Sequence, residues 1–231
     1  MRVDVGIIGA MDAELKTLIG ALSERKSEVA GGIEFHTGII HNKRVAIAKC
    51  GIGKVFAAIC AEAMVMKYSP TLIVNTGVGG ALARGISATD IVIADKLCQH
   101  DMDTSAIGDP KGLVSGINKI YFDSDARAVE ILRAASDTLG YTAHVGTIAT
   151  GDKFIADREE KKSIEATFGA MACEMEGGAV AHTAYVNGVP FAVIRAISDS
   201  ADGDAGMDYP TFLPIAAERS AALTLALIKE Y

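Results

Sequence analysis

The chain has 231 residues, half of them hydrophobic, and a formal net charge of −7 at pH 7. This length allows one sizeable hydrophobic core, so we expect a single domain over residues 1–231. The acidic balance and the lack of a lysine/arginine cluster disfavour a nucleic-acid surface, and the apolar stretches are interrupted before they reach membrane-spanning length. The four cysteines are scattered without metal-like spacing, which is typical of reduced, buried thiols in a cytoplasmic protein.

Patterns in the first third of the chain alternate between strand and helix. Residues 3–9, VDVGIIG, predict a buried strand rather than a signal peptide. Residues 12–25 then predict a helix with an apolar face, and residues 33–40 and 43–50 predict a hairpin around HNKR. Residues 54–68 predict a helix that is apolar on nearly every side, so it should be buried, and a second subunit could supply part of its cover.

The rest of the chain continues this alternation. Runs of β-branched residues predict core strands at 71–77 and 90–95, whereas residues 99–118 are rich in glycine, aspartate and serine and predict a loop. The remaining predicted elements are helix 124–139, strand 144–151, helix 157–167, strand 169–175, helix 177–187, strand 190–198 and helix 210–229. Such alternation predicts an α/β fold in which a mostly parallel or mixed sheet is covered by helices on both faces.

Polar or glycine-rich segments stand at the ends of the predicted strands. In chain order they are GAMDAE, which contains Glu14, GVGGALARG after LIVNT, TGDKFI, EMEGG, and RAISDSAD, which contains Asp199. In open α/β sheets the ligand crevice lies at the carboxyl ends of the strands. We therefore expect these segments to meet at one site.

Each of these segments also has a structural explanation. GVGGA does not match the dinucleotide fingerprint, and it fits a tight turn as well as a loop whose backbone approaches a ligand. Considered alone, Glu14 is also explained as a solvated residue in the first turn of a helix. Asp199 is also explained as a cap of the loop or helix that follows its strand. His100, beside two aspartates in an acidic loop, is insufficient for a metal site.

Glu174 and Glu176 are unusual because they stand in the apolar run MACEMEGGAV. If the strand extends through residue 176, both side chains point to one face and Met175 points to the other. Like charges at that spacing repel unless hydrogen-bond donors lie beside them. A ligand with adjacent hydroxyl groups and a structural ion pair with Arg195 or a lysine fit this spacing equally, since Arg195 in its apolar strand also needs a carboxylate partner.

The motifs GIIGAMDAE, CGIGKV, NTGVGGALA, TDIVIAD, TGDKFI, CEMEGGAVAH and RAISDSAD follow one another from residue 5 to beyond residue 202. As an ordered set they resemble the 5′-methylthioadenosine/S-adenosylhomocysteine nucleosidase family. The resemblance implies a nucleoside phosphorylase-like three-layer α/β/α fold with a mixed central sheet, and usually a homodimer. It also implies hydrolysis of an adenine N-glycosidic bond, with water as co-substrate and with no cofactor, metal or membrane partner.

The resemblance assigns roles to individual residues. Asp199 would protonate adenine on its imidazole side and must hold or relay a proton near neutral pH. Glu14 would bind and activate water on the opposite face of the sugar, with Arg195 orienting the water, as in inverting glycoside hydrolysis. Glu176 would bind the ribose 2′- and 3′-hydroxyls, Met175 would pack against the sugar, and Glu174 would support the pocket.

The same resemblance outlines the adenine and 5′-thio subsites. Phe154 would stack against adenine, while backbone groups of Ile155 and Ser198 would bind its edge. The residues implied for an apolar 5′-thio pocket are Met11, Ile52 and Tyr209, with Ile107 of the partner subunit helping to close it. Two positions depart from the family: Val78 replaces a serine that many members carry after NTG, and an aromatic residue usual near Ile107 is absent.

Three other functions fit parts of the pattern. A nucleoside phosphorylase on the same fold would need arginines for phosphate, whereas the first loop offers Asp12 and Glu14 and the strand ends offer only Arg84 and Arg195. A hydrolase of futalosine-type nucleosides shares the architecture. A nucleoside-binding protein without turnover would not need Glu14 and Asp199 together.

Overall fold

In this computed structural model the chain is described over residues 2–199 and 205–231, with the side chains of the last helix described from Pro210 onward. The strands are β1 Val5–Gly9, β2 Ser23–Ala30, β3 Ile33–Ile40, β4 Lys43–Lys49, β5 Leu72–Ala81, β6 Ile91–Gln99, β7 Phe122–Asp123, β8 Ala143–Thr150, β9 Ala170–Glu174 and β10 Phe191–Asp199. The helices are α1 Asp12–Gly20, α2 Lys54–Tyr68, α3 Ala126–Leu139, α4 Arg158–Phe168, α5 Gly177–Val186 and α6 Ala205–Glu230.

The central sheet is mixed, as predicted. Strand β5 pairs in parallel with β1 and β10 and antiparallel with β9. From β1 the sheet continues through β4 and β3 to the edge strand β2. On the other side β10 pairs with β6, β6 with β8 and β8 with β9, so these strands and β5 close into a ring.

Helices cover both faces of the sheet, which confirms the predicted α/β/α layers. Successive residues of β1 point to opposite faces: Ile7 packs in a core with Leu15 of α1 and Leu227 of α6, whereas Ile8 packs in a second core with Met64 of α2 and Val180 of α5. Helix α3 joins the first of these layers. The carboxyl ends of β1 and β5 thus lie between two well-packed helical layers.

Helix α6 is the one described helix long and apolar enough to cross a membrane, by length and composition alone, with a mean hydropathy of 1.3 over an 18-residue window within Pro210–Glu230. Its residues Ala216, Leu223 and Leu227 are buried against the sheet and α1. This packing makes α6 a core helix of the α/β/α sandwich. The helix begins at Ala205, earlier than the predicted start at residue 210.

The largest error in the predicted elements concerns residues 12–25. Helix α1 ends at Gly20, and Ser23–Ala30 forms β2, which pairs antiparallel with β3. The sequence SERKSEVA lacks apolar alternation because nearly all of β2 is exposed. Backbone pairing with β3, rather than burial, forms this strand, and its charged side chains are typical of an edge protected from further pairing.

Candidate active site

A pocket opens where β1, β5, β9 and β10 carry the polar segments predicted to meet. It is lined by the β1–α1 turn, the second half of β5, the loop after β8, the β9–α5 turn and the end of β10. The predicted site residues that line it are Met11, Glu14, Ile52, Val78, Phe154, Ile155, Glu174, Met175, Glu176, Ser198 and Asp199.

Two described residues among those predicted, Arg195 and Ile107, do not line this pocket. Arg195 is buried behind it and contacts Glu174. Ile107 lies on a short 3₁₀ turn, Ser105–Ile107, and is 82% exposed. Within a single chain it therefore does not close the predicted 5′-thio pocket. The side chain of Tyr209 lies outside the described residues.

Glu14 is buried rather than solvated, although it stands in the first turn of α1. Its Oε2 accepts hydrogen bonds from the backbone N–H groups of Ala10 at 2.8 Å and Met11 at 2.9 Å, and its Oε1 accepts one from Val78 at 3.1 Å. Burial raises the pKa of Glu14, while Arg195 and the backbone donors act in the opposite direction. A buried carboxyl with a raised pKa is suited to accept a proton near neutral pH.

The GVGGA segment continues β5 instead of forming the turn or ligand loop that the sequence suggested. A Cβ atom on Gly77 would collide with the Glu14 carboxylate, and one on Gly80 would lie 2.8 Å from Asp199 Oδ2. These glycines therefore let two carboxyl groups lie directly against one strand.

Asp199 ends β10 at a shift in its register with β5, an irregularity of the kind that re-aims side chains near functional sites. Its Oδ2 lies 3.0 Å from Lys161 Nζ on α4, and Ser198 Oγ lies 3.1 Å from its Oδ1. The sequence reasoning missed Lys161. The available signal was a lysine in register with Ile164 and Phe168 on the buried face of α4.

Glu174 is a fully bonded carboxylate that supports the pocket. Its Oε2 pairs with Arg195 and accepts the backbone N–H groups of Glu176 at 3.0 Å and Gly177 at 2.6 Å, and its Oε1 accepts the Thr150 hydroxyl. Strand β9 ends at Glu174, and Glu176 is the N-cap of α5. The expectation that one strand directs both glutamates to the same face is therefore wrong: a tight turn brings them together.

Glu176 has a different set of neighbours. Its Oε1 accepts the backbone N–H of Gly53 at 2.9 Å, at the amino end of α2, and its Oε2 lies 3.9 Å from Arg195 Nη2. Burial, and then the charge of Glu174, raise the pKa of Glu176 to about 7. Within the described residues Oε2 accepts no hydrogen bond, so this oxygen remains available to hydroxyl groups of a ligand.

The amino end of α2 helps to hold this side of the pocket. Its N-cap is Gly53, which offers no side chain to cap the free N–H groups. Glu176 accepts the N–H of Gly53, and Asp152 Oδ1 accepts the N–H of Lys54 at 2.7 Å. One carboxylate from the β9–α5 turn and one from the loop after β8 thus accept the free N–H groups at the amino end of α2. The helix dipole favours negative charge at this end.

Arg195 is the buried cation that balances these acids. Its Nη1 donates to the carbonyl of Ile194 at 2.9 Å, and its Nη2 donates to Glu174 and to Asn75 Oδ1. Its Nε has no hydrogen-bond partner in the described part of the chain, which leaves one donor open to a water. Burial opposes its charge, but Glu174, Glu176 and Glu14 outweigh burial and raise the pKa of Arg195.

The fold and this pocket define an enzyme of the phosphorylase superfamily, whose family model matches residues 4–229. The chain is 37% identical over 227 residues to the 5′-methylthioadenosine/S-adenosylhomocysteine nucleosidase of Actinobacillus succinogenes, with 98% of each chain covered. It therefore belongs, within that superfamily, to the family of 5′-methylthioadenosine/S-adenosylhomocysteine nucleosidases.

Solved structures agree with this assignment. The crystal structure of the Neisseria meningitidis 5′-methylthioadenosine/S-adenosylhomocysteine nucleosidase in complex with methylthio-immucillin-A matches with a TM-score of 0.95, 33% identity and 99% of each chain covered. Futalosine hydrolase of Helicobacter pylori also matches, with a TM-score of 0.92, 32% identity and coverage of 99% of this chain and 98% of that one. The fold is thus shared by hydrolases of more than one nucleoside.

Proposed function

We propose that this protein hydrolyses the N-glycosidic bond of 5′-methylthioadenosine and S-adenosylhomocysteine, and of 5′-deoxyadenosine, to release adenine and a 5-substituted ribose. One observation carries the proposal: Glu14 and Asp199 line one pocket and lie against Gly77 and Gly80 of the same strand. Two carboxyl groups in one pocket let one act on the base and the other on a water across the sugar.

Asp199 is the general acid in this mechanism. Its proton passes to the imidazole-side nitrogen of adenine as the C–N bond breaks, so that the bonding electron pair leaves with a neutral base. Phe154 stacks against the base, and backbone groups of Ile155 and Ser198 bind its edge. All three residues line the pocket with Asp199, which supports the placement of adenine on this side.

Glu14 is the general base. It removes a proton from the water that attacks the sugar carbon, and the second water proton stays on the new hydroxyl group of the ribose. The positive charge of Arg195 favours the carboxylate form of Glu14, the form a base requires. Val78 offers no hydroxyl to the water, so Glu14, Arg195 and backbone donors have to hold it.

Glu176 binds the sugar. Two ribose hydroxyls donating to Oε2 would replace the hydration that the carboxylate lost on burial. Its negative charge also stabilises the positive charge that develops on the sugar in the transition state. Met11 and Ile52, which line the pocket, form the apolar wall for the 5′-thio group.

Hydrolysis fits the charges of the pocket better than phosphorolysis does. Of the described residues that line it, Glu14, Glu174, Glu176 and Asp199 are acidic and Lys153 is the one cation. Phosphate would need a cationic cradle. A futalosine-type nucleoside is the alternative substrate, because one structural relative is a futalosine hydrolase.

The decisive assay measures adenine release from 5′-methylthioadenosine, adenosylhomocysteine and 5′-deoxyadenosine in phosphate-free buffer. A futalosine-type nucleoside and added phosphate provide the two comparison arms. We expect free 5-substituted ribose as product, at a rate independent of phosphate. Phosphate-dependent formation of ribose 1-phosphate, or turnover of the futalosine-type nucleoside alone, would reject the proposal.

Glu176→Gln is expected to raise KM for 5′-methylthioadenosine about 10- to 100-fold, since a charge-assisted hydrogen bond contributes about 1.5–3 kcal/mol. Hydroxyl groups donate best to the ionised carboxylate, and the pKa of Glu176 is about 7. Glu176 therefore ionises as pH rises from 6 to 8, and KM of the wild type should fall over this range. Steady-state kinetics over this range test both points, with Glu159→Gln on α4, whose side chain is 80% exposed, as control. Equal handling of ribo and 2′-deoxy substrates by the wild type would refute this role.

We further propose a homodimer in which Ile107 of the partner subunit closes the 5′-thio pocket. The supporting observation is a set of exposed apolar residues on α2, namely Val55, Phe56 and Ile59. Phe56→Glu is expected to convert a dimer to a monomer and to raise KM, measured by light scattering and kinetics. Val29→Glu on the edge strand β2, which replaces another exposed apolar residue, is the matched control. A wild-type monomer would refute the proposal.

A cytoplasmic location is also proposed, supported by the state of the thiols. All four cysteines are free and buried. Burial raises the pKa of Cys60, Cys98 and Cys173 to about 12, so they are protonated and unreactive at neutral pH. Such thiols need no oxidising compartment.

A further inference from the structure

The pair formed by Lys161 and Asp199 is not explained by the mechanism described so far. Their side chains are 3% and 2% exposed, and Nζ lies 3.0 Å from Oδ2. Every other lysine in the chain is at least partly exposed, so Lys161 is the one buried lysine. A cation so deeply buried beside a pocket carboxylate costs desolvation free energy.

Helix α4 fixes Lys161 in place. Asp157 caps the helix by accepting the Glu160 N–H at 2.9 Å, and Ile164 and Phe168 anchor the buried face that Lys161 shares. The helix directly follows the loop that carries Phe154 and Ile155. An ion pair of 2.6 Å between Lys153 and Glu160 ties that loop back to α4. One rigid unit therefore carries the adenine loop and the cation that contacts the acid.

Stability alone does not account for this pair. Replacing a buried ion pair by apolar residues of similar volume is often neutral or stabilising. The carboxylate of Asp199 is divided between two donors, with Lys161 at Oδ2 and Ser198 at Oδ1. The donor at Oδ2 fixes the carboxyl plane at the pocket wall, where a 1 Å displacement would disturb proton transfer.

We propose that Lys161 is a positioning residue for the base-protonating step: its buried ammonium group, 3.0 Å from Oδ2, orients the Asp199 carboxyl group towards the base. This inference rests on the proposed role of Asp199 as general acid. When Asp199 gives its proton to adenine, the new carboxylate is left beside the Lys161 cation. The ammonium group then stabilises the carboxylate that the proton transfer leaves behind.

The charges around the pair come from two elements, β9 and α4. Strand β9 supplies the Cys173 thiol and Glu174, and α4 supplies Glu160; both acids and the pair itself act electrostatically on that thiol. Strand β5 presents Gly79 and Gly80, which carry no charge. Lys161 is thus the cation that opposes these acids next to Asp199.

The experiment compares kcat and KM between pH 5 and 10 for the wild type and four variants. Lys161→Met and Lys161→Gln both remove the charge, Lys161→Arg keeps it, and Lys162→Met removes the charge of the adjacent exposed lysine as control. We expect Lys161→Met and Lys161→Gln to lower kcat about 10- to 100-fold with KM changed less than about threefold, while Lys161→Arg and Lys162→Met keep kcat close to that of the wild type.

A double-mutant cycle with Asp199→Asn separates this inference from the function on which it rests. If Lys161 acts through Asp199, Lys161→Met should cost no further activity in the Asp199→Asn background. Equal losses of kcat in both backgrounds, or a kcat of Lys161→Gln equal to that of the wild type, would overturn the role of Lys161 alone. Wild-type activity of Asp199→Asn would instead overturn the general acid. Thermal unfolding identifies any variant that fails to fold, and the Gln variant then replaces the Met variant.

Discussion

Asp199→Asn is expected to lower kcat for adenine release about 10³-fold, within the range for loss of a general acid. Asparagine has nearly the same shape as aspartate, and its carbonyl oxygen can still accept a hydrogen bond from Lys161. It cannot deliver a carboxyl proton to adenine. The substrate should therefore bind with an affinity close to that of the wild type while the C–N bond stays intact.

Steady-state adenine release and calorimetric titration with a non-hydrolysable analogue of 5′-methylthioadenosine measure the two effects separately. Asp137→Asn on α3 is the matched control. The Asp137 side chain is 73% exposed, and Asp137 is distant in the sequence from the residues that line the pocket. Near-wild-type turnover of Asp199→Asn would remove Asp199 from the chemistry. A loss of binding with unchanged kcat would make Asp199 a binding residue instead.

Elements with a strong apolar period could be predicted from the sequence. The predicted helix over 54–68 and the hairpin strands at 33–40 and 43–50 match α2, β3 and β4 closely. Helix α2 is bounded by Gly53 and by a left-handed residue, Ser69, so its ends are encoded locally. Strand β2 could not be predicted in this way, because its side chains are exposed and its structure depends on pairing with β3.

The position of the site could be predicted from sequence motifs. The roles of individual side chains could not be predicted where they depend on partners brought together by the fold. The segments around Glu14, Phe154, Glu176 and Asp199 meet in one pocket, as their positions at strand ends predicted. The different partners of Glu174 and Glu176 could not be predicted from the spacing of the two residues. It arises because Glu174 pairs with Arg195 on another strand, whereas Glu176 accepts the N–H of Gly53 from a distant helix.

The same limit explains the misread glycine run. GVGGA looks like a turn because glycines are common in turns. In the structure they are strand residues, since Gly77 and Gly80 must leave space for the carboxylates of Glu14 and Asp199, which come from other elements. Lys161 was missed for a similar reason: its spacing shows a lysine on a buried helix face, but only the folded structure reveals its partner Asp199 at the end of β10.

Glu14→Gln is expected to lower kcat about 10²- to 10⁴-fold, because an amide cannot accept the water proton. The substitution also affects folding. Both carboxylate oxygens accept backbone N–H groups, whereas glutamine accepts at one oxygen only and presents an NH₂ group to the other donors. Leaving a buried donor unpaired costs about 1–3 kcal/mol, so a lower melting temperature should accompany the lost activity.

The pH profile separates these two effects of Glu14→Gln. Since the pKa of Glu14 is raised by burial, the base form is lost as pH falls through that raised value, and kcat/KM of the wild type should fall with it. The residual activity of Glu14→Gln should lack this acid limb. Adenine release between pH 4.5 and 9, well below the melting temperature of each protein, provides the test, with exposed Glu24→Gln as control. If adenine release by Glu14→Gln falls at low pH in the same way as that of the wild type, another group activates the water. Glu14 would then only support the loop between β1 and α1.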